Sequence, residues 1–301
     1  MVVKTSDLSG IMPKQILDGI VEKVKYGSTV VALSSAEPML FGEATIVTFD
    51  QDPKAQFVEE SGAKSSQDIT PGHVTAVPRK AQVTYRTSDE FLWANEDYKL
   101  GVLAKFGEKA SRALARGLDF GVYHRINPLS GTPVASWTNY LNATTLRVDE
   151  SGNPDLDIEA AAGLVIANDA IPNGLALDPS YAWQISTARY ADGRKKFPEL
   201  GLGINVSSFE GLNASVSNTV SGRPEATDTG LRGIVGDFNE GIRWGIQREL
   251  PFTVIPYGDP DNAGRDLKGH NEVALRMEVV YAWYVFTDRF AVIEEPSGVE
   301  G

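Results

Sequence analysis

The sequence predicts an α+β fold, and three observations carry that reading. Residues 87–127 hold an uninterrupted helical pattern, with no proline before Pro128. Val273, Leu275, Met277, Val279, Tyr281, Trp283 and Val285 alternate with Ala274, Arg276 and Glu278, the two-residue period of a strand. Between these, residues 134–269 mix helical stretches with short apolar runs closed by turn residues, the pattern of a mixed α/β region.

Taken in order, residues 1–35 read as an arm. Pro13 opens a short helix in which Ile16, Leu17, Ile20, Val21 and Val24 form an amphipathic stripe ending near Gly27. Residues 42–86 switch to strands. One is 44–49; another lies within 74–85, with Val77, Ala81, Val83 and Tyr85 on one side. The polar stretch between them is punctuated by Pro53, Gly62, Pro71 and Gly72. An isolated two-stranded hairpin is marginal in water, so this one is expected to find support on another molecule.

The long helix is expected to start at Thr87-Ser88-Asp89-Glu90, which has capping-box spacing. Leu92, Leu103 and Leu114 recur along it, beside a stripe of Phe91, Tyr98, Val102, Phe106, Ala110 and Ala113. At about 1.5 Å per residue it would exceed roughly 50 Å. Gly101, Gly107, Gly117 and Gly121 interrupt it; they are read as points of close backbone approach or bending. Further on, 155–170 and 181–189 read as helices, and 175–177, 234–235, 242–246 and 252–255 as strands. Residues 215–230 read as a loop without an internal partner. After the alternating strand, Asp288-Arg289 turns the chain into a last strand, 290–293, and residues 296–301 form a tail.

Composition narrows the function. The chain has 301 residues, a formal net charge of −12 and no cysteine. Disulfides, thiol catalysis and thiolate metal sites are therefore excluded, and the acidic balance argues against a nucleic-acid reader. The N-terminus lacks the apolar run of a signal peptide. The longest apolar run, Val279 to Phe286, is far too short to span a bilayer, so a cytoplasmic product with no membrane partner is expected.

Catalytic signatures are absent. His73, His124 and His270 stand apart, with no H-E-x-x-H spacing, G-x-S-x-G elbow or phosphate loop. A Ser/His/Asp triad stays open, since its members need not be adjacent. Gly201-Leu202-Gly203 lacks the third glycine of a dinucleotide motif. The segment 259–264 begins like a calcium loop, but Ala263 and His270 stand where carboxylates are needed, so a turn is expected. Glu59-Glu60 and Glu294-Glu295 are adjacent and would diverge on a strand. No cofactor, metal or catalytic residue is expected.

The order of parts resembles the major capsid protein of tailed bacteriophages, the Hong Kong 97 fold, over residues 11–294. Ala55-Gln56-Phe57-Val58-Glu59-Glu60 with Lys64-Ser65-Ser66 resembles that family's extended loop, and Val77-Pro78-Arg79-Lys80-Ala81 its returning strand. Ser88 to Leu92 and Asp119 to Val134 resemble the entry to and exit from its spine helix. Asp192-Gly193-Arg194, Phe209-Glu210-Gly211-Leu212, Gly236-Asp237-Phe238 and Phe290-Ala291-Val292 resemble axial-domain and final-strand signatures.

The resemblance implies an N-terminal arm (1–35), an extended loop (42–86), a peripheral domain with the spine helix (87–133 and 270–295), an axial domain (134–269) and a flexible tail (296–301). It implies a homo-oligomer of hexamers and pentamers in an icosahedral shell around double-stranded DNA, with no sequence-specific DNA contact. Portal and decoration proteins are possible companions. Met1 leads directly into the arm, so scaffolding would be a separate protein or unnecessary. Subunit contacts are expected at Phe57, Glu59, Glu60, Lys64, Arg79 and Lys80. Some members cross-link a loop lysine to an asparagine; Lys54, Lys64 and Asn271 show no motif that pairs them, and surface lysines are the ordinary reading. The alternatives are an encapsulin-like compartment shell and, remotely, an unrelated acidic hydrolase.

Overall fold

The computed structural model describes residues 27–48, 54–66, 71–90, 96–201 and 206–296. The helix expected behind Pro13 and the tail beyond Pro296 lie outside them. The first described element is a short helix that the sequence pattern did not announce, α1 (Thr29–Leu33). Ser28 caps it, its side chain accepting from Val31 N at 3.1 Å.

The hairpin forms as expected from β1 (Ala44–Thr48) and β2 (Gly72–Ser88), antiparallel from Ala44↔Ala76 to Thr48↔Gly72. From Val77 onward, however, β2 pairs with the late strand β11 (Glu272–Val285), from Val77↔Trp283 to Ser88↔Glu272. Among the described residues, the distal hairpin pairs with no strand beyond its own two.

This pairing overturns the capping box. Thr87 and Ser88 are the last residues of β2, opposite Val273 and Glu272. Glu90 N donates to Ser88 Oγ at 3.3 Å in a short turn. A ladder of many backbone bonds outweighs one local cap. The spine helix α2 is described over Glu96–Asp119, about 36 Å long. A π turn, Phe120–His124, follows, and Arg125 ends it at φ 54.

Helix α2 lies against β11. Ala110, Leu114 and Leu118 share one core with Met277, Val279, Tyr281 and Trp283, and Tyr281 OH donates to the Leu114 carbonyl at 3.2 Å. The returning strand is thus the spine's partner, as expected. Ala113, read from sequence as part of the stripe beside the leucines, faces solvent.

The glycines also divide. A Cβ on Gly101, Gly107 or Gly117 would meet nothing within 4 Å, whereas one on Gly121 would lie 2.7 Å from Trp283. Close approach is confined to Gly121. Accordingly, Gly107→Ala and Gly117→Ala should each raise subunit stability by about 0.5–1 kcal/mol in thermal melts. Gly121→Ala should lower it, because the indole has to move.

Past the spine come two short pairs of residues, β3 (Ile126–Asn127) and β4 (Thr132–Pro133), joined as a small hairpin, and then β5 (Arg147–Asp149). Helix α3 (Pro154–Ala167) begins with proline and acids in its first turn. It is followed by β6 (Gly174–Leu177) and α4 (Pro179–Thr187), capped by Asp178. The chain continues through β7 (Ser208–Phe209), β8 (Leu212–Val216), β9 (Leu231–Gly236) and the one-turn α5 (Phe238–Gly241). Residues 242–255 form one strand, β10 (Ile242–Ile255), where two were expected; irregularities at Ile246/Arg248 and Leu250/Thr253 explain the broken pattern. After β11, the last strand is β12 (Phe290–Glu294).

Two principal sheets result, ordered β1-β2-β11-β10 and β5-β12-β9-β6-β8-β7. The second is buried on both faces. Leu175, Leu177, Val235, Ala291 and Ile293 pack under α3 and α4, while Ala176, Ile234, Phe290 and Val292 join the spine's core. Sheet membership crosses the ranges read from sequence, since β10 (within 134–269) pairs with β11, and β12 (within 270–295) pairs with β9.

Candidate assembly surface and the arm junction

The six residues expected at subunit contacts do not form one cluster. Phe57 projects fully into solvent from the distal loop, with Val58, Glu59, Glu60 and Lys64 also exposed. Leu40, Phe41 and Val47, on and before β1, extend this apolar exposure. Arg79 and Lys80 lie on opposite faces of β2. Lys80 is held by Glu278 at 2.9 Å across the β2–β11 pair. Arg79, on the face shared with Ala81 and Val83, stacks against Trp137 and Trp283, its guanidinium carbon 4.2 Å and 4.8 Å from their ring centroids. The sequence places Trp283 on the returning strand but links neither tryptophan to Arg79, since nothing local connects positions 79, 137 and 283.

Asn271, weighed as a cross-link partner, sits in a left-handed turn at the foot of β11, its carbonyl accepting from Asp89 N at 2.8 Å. Lys54 and Lys64 lie beyond the other end of β2, so a bond between these groups would have to join two copies.

The segment 259–271 is a turn held by charge. Arg86 donates from Nε to both Asp261 oxygens at 2.9 Å, and reaches Asp259 at 2.5 Å and Glu272 at 3.2 Å. This contact holds the Asp261 carboxyl down at about 2. Asp259 also accepts from Ala263 N and Gly264 N at 2.9 and 2.8 Å. These acids thus serve the turn. Among the described residues no group of three or more His, Asp or Glu could hold a metal ion, and no helix is long and apolar enough to cross a membrane.

A densely bonded buried carboxylate enters the sequence reading only as the first residue of the spine-exit resemblance. Asp119, the last residue of α2, is fully buried. It accepts from Ser28 Oγ, from Thr29 N and Oγ1 at 2.9 Å each, from Val30 N at 3.2 Å and from Thr219 Oγ1 at 2.6 Å. Tyr123 OH is 2.9 Å from Thr29 Oγ1. Burial raises the Asp119 carboxyl above the ordinary carboxylate range, and the bonds from Ser28, Thr219 and Thr29 oppose that rise.

One carboxylate thus ties the root of the arm, the end of the spine and the 215–230 segment. That segment was expected to lack an internal partner, yet Thr219, Val220 and Ser221 are completely buried. Arg116 further pins it through Glu225 at 2.5 Å. His124 adds a contact, its Nε2 3.0 Å from the Thr219 carbonyl, while its buried Nδ1 has no partner. Burial lowers the His124 pKa to about 4.

No family model and no curated protein matches this chain. Among solved structures, a capsid structure of Mycobacterium phage Ogopogo is 41% identical, with TM-score 0.79 over 90% of this chain and 92% of that one. The chain belongs to the tailed-bacteriophage major capsid proteins. A capsid structure of Gordonia phage Cozz is 30% identical to this capsid protein, with TM-score 0.78 over 90% and 87% of the two chains. The capsid of a native GTA particle, 15% identical with TM-score 0.60 over 89% and 90%, shares the fold of the capsid protein.

Proposed function

We infer that this chain is the shell subunit of a tailed-phage virion, and that its copies associate into the hexamers and pentamers of an icosahedral capsid around double-stranded DNA. The similarity to the Ogopogo structure over nine-tenths of both chains carries the reading. The distal hairpin supports it, because among the described residues no second layer covers its exposed apolar side chains. On this reading the β1-β2-β11-β10 sheet with α2 forms the peripheral domain, the six-stranded sheet with α3 and α4 the axial domain, and Phe57, Glu59, Glu60, Lys64, Arg79 and Lys80 lie at contacts between copies. The role is structural rather than catalytic. Scaffolding, portal and decoration partners belong to the same proposal, and no observation favours an encapsulin-like shell. Nucleic acid rather than a cargo protein inside purified particles separates the two.

The test is electron microscopy of the purified protein with light scattering. Closed particles or capsomers are expected; a monomer under all conditions would overturn the reading. Replacing residues 49–71 by Asn-Gly, a two-residue turn suited to the Thr48↔Gly72 pair, should abolish particles. The subunit should still melt cooperatively, since none of the segment's described residues belongs to a hydrophobic core. Closed shells from this variant would refute the assignment of the hairpin.

A further inference from the structure

Arg79 is a half-buried cation without an acid. Its Nε is shut off from solvent with no hydrogen-bond partner, and no ion pair reaches it among the described residues. Trp283, almost wholly buried beside it, likewise leaves its indole N–H without an acceptor. The two indoles meet edge to face at 5.4 Å, and the guanidinium lies over both. Such stacking fixes the plane of the guanidinium and leaves its donor edge free for the two oxygens of a carboxylate. A desolvated, unpaired cation is costly in the isolated subunit, so an acid arriving from outside would gain more here than at a hydrated arginine.

Resting on the reading of the chain as a shell subunit, we propose that Arg79, stacked on Trp137 and Trp283, receives the carboxylate of Glu59 or Glu60 from a second copy of this chain. The subunit's own loop is poorly placed to supply it. Gly72, where the described β1–β2 ladder ends, is seven residues from Arg79, roughly 23 Å along an extended strand, and the loop continues past that point. Glu59 and Glu60 are exposed, make no ion pair among the described residues, and adjoin Phe57, whose ring is wholly in solvent. An exposed aromatic beside two acids complements a cation flanked by two indoles.

Charge exchange tests the pairing. Arg79→Glu should lower the yield of sedimenting shells roughly tenfold or more, and Glu59→Arg with Glu60→Arg in the same chain should restore it. A second test leaves Arg79 in place. The chain has no cysteine, so Val77→Cys, on the same face of β2, with Glu60→Cys gives a clean pair. A short bis-maleimide should then produce a ladder of covalent multimers from assembled shells and none from dilute subunits.

Restored shells or the ladder support the proposal. Intact shells that give no ladder overturn it. So do Arg79→Ala shells that form in normal yield but lose nucleic acid, which would assign the site to phosphate. If the unaltered protein forms no particles at all, the shell reading itself fails.

Discussion

Asp119→Ala should lower subunit stability by about 3–5 kcal/mol, the largest effect expected of a single substitution here. The variant leaves two backbone N–H groups and three hydroxyls at the arm junction without their acceptor. Each buried donor left unpaired costs about 1–3 kcal/mol, and hydroxyls recover part of that by rotating. Asp119→Asn is the sharper probe. Thr29 N points at one carboxylate oxygen and Val30 N at the other, so either orientation of the amide sets its NH2 against a backbone N–H. A loss of about 2–3 kcal/mol is expected for it. Denaturant unfolding of the hairpin-replaced subunit measures both values. Limited proteolysis should show new cleavage near residues 27–37, where the arm is held. Unfolding curves within 0.5 kcal/mol of the parent would show that the junction does not carry this load.

Acid should destabilise the subunit through His124. Its folded pKa is about 4, below the ordinary value of 6.5, because burial disfavours the imidazolium. The unfolded chain therefore takes up the proton first as pH falls. The contribution is fully present above about pH 6.5 and is lost progressively as pH falls through about 4, a change of about 3 kcal/mol. Asp119, five residues earlier at the end of α2, acts in the opposite sense. Its raised carboxyl favours the folded state below the unfolded carboxylate pKa, and that contribution fades as pH rises through the folded one. Asp228 also faces the imidazole and favours its charged form. The clean observable is therefore a difference. The stability of His124→Gln should decline between pH 7 and 4 by about 3 kcal/mol less than that of the parent. Parallel declines would show that the imidazole is not the group responsible.

Elements with a strong local period are legible in the sequence alone. Strand β11 alternates apolar and polar residues as far as Glu278 and is apolar on both faces beyond it, where Val280 and Ala282 are buried too, and α3, β6, α4 and β9 fall within a few residues of their expected places. The distal loop is readable too, because a polar stretch between two strands cannot build its own core. The misreadings share one cause. Thr87-Ser88-Asp89-Glu90 has the composition of a helix cap but is claimed by a strand nearly 190 residues away. Residues 215–230 look like free loop because their fastening is a set of scattered contacts with Arg116, Asp119 and His124 rather than an apolar period. Gly107 and Gly121 are indistinguishable in the sequence, and only Trp283, folded in from the far end of the chain, separates them.

By itself, then, the sequence determined the strongly periodic helices and strands, the spine with its returning strand, and the family that their order resembles. All of these rest on interactions between near neighbours or on an apolar period. The tertiary structure alone decided where β2 ends its pairing, which buried carboxylate holds the arm, and which arginine stands unpaired between two indoles. Those depend on contacts between residues about 60 to 200 positions apart, and such contacts leave no period along the chain.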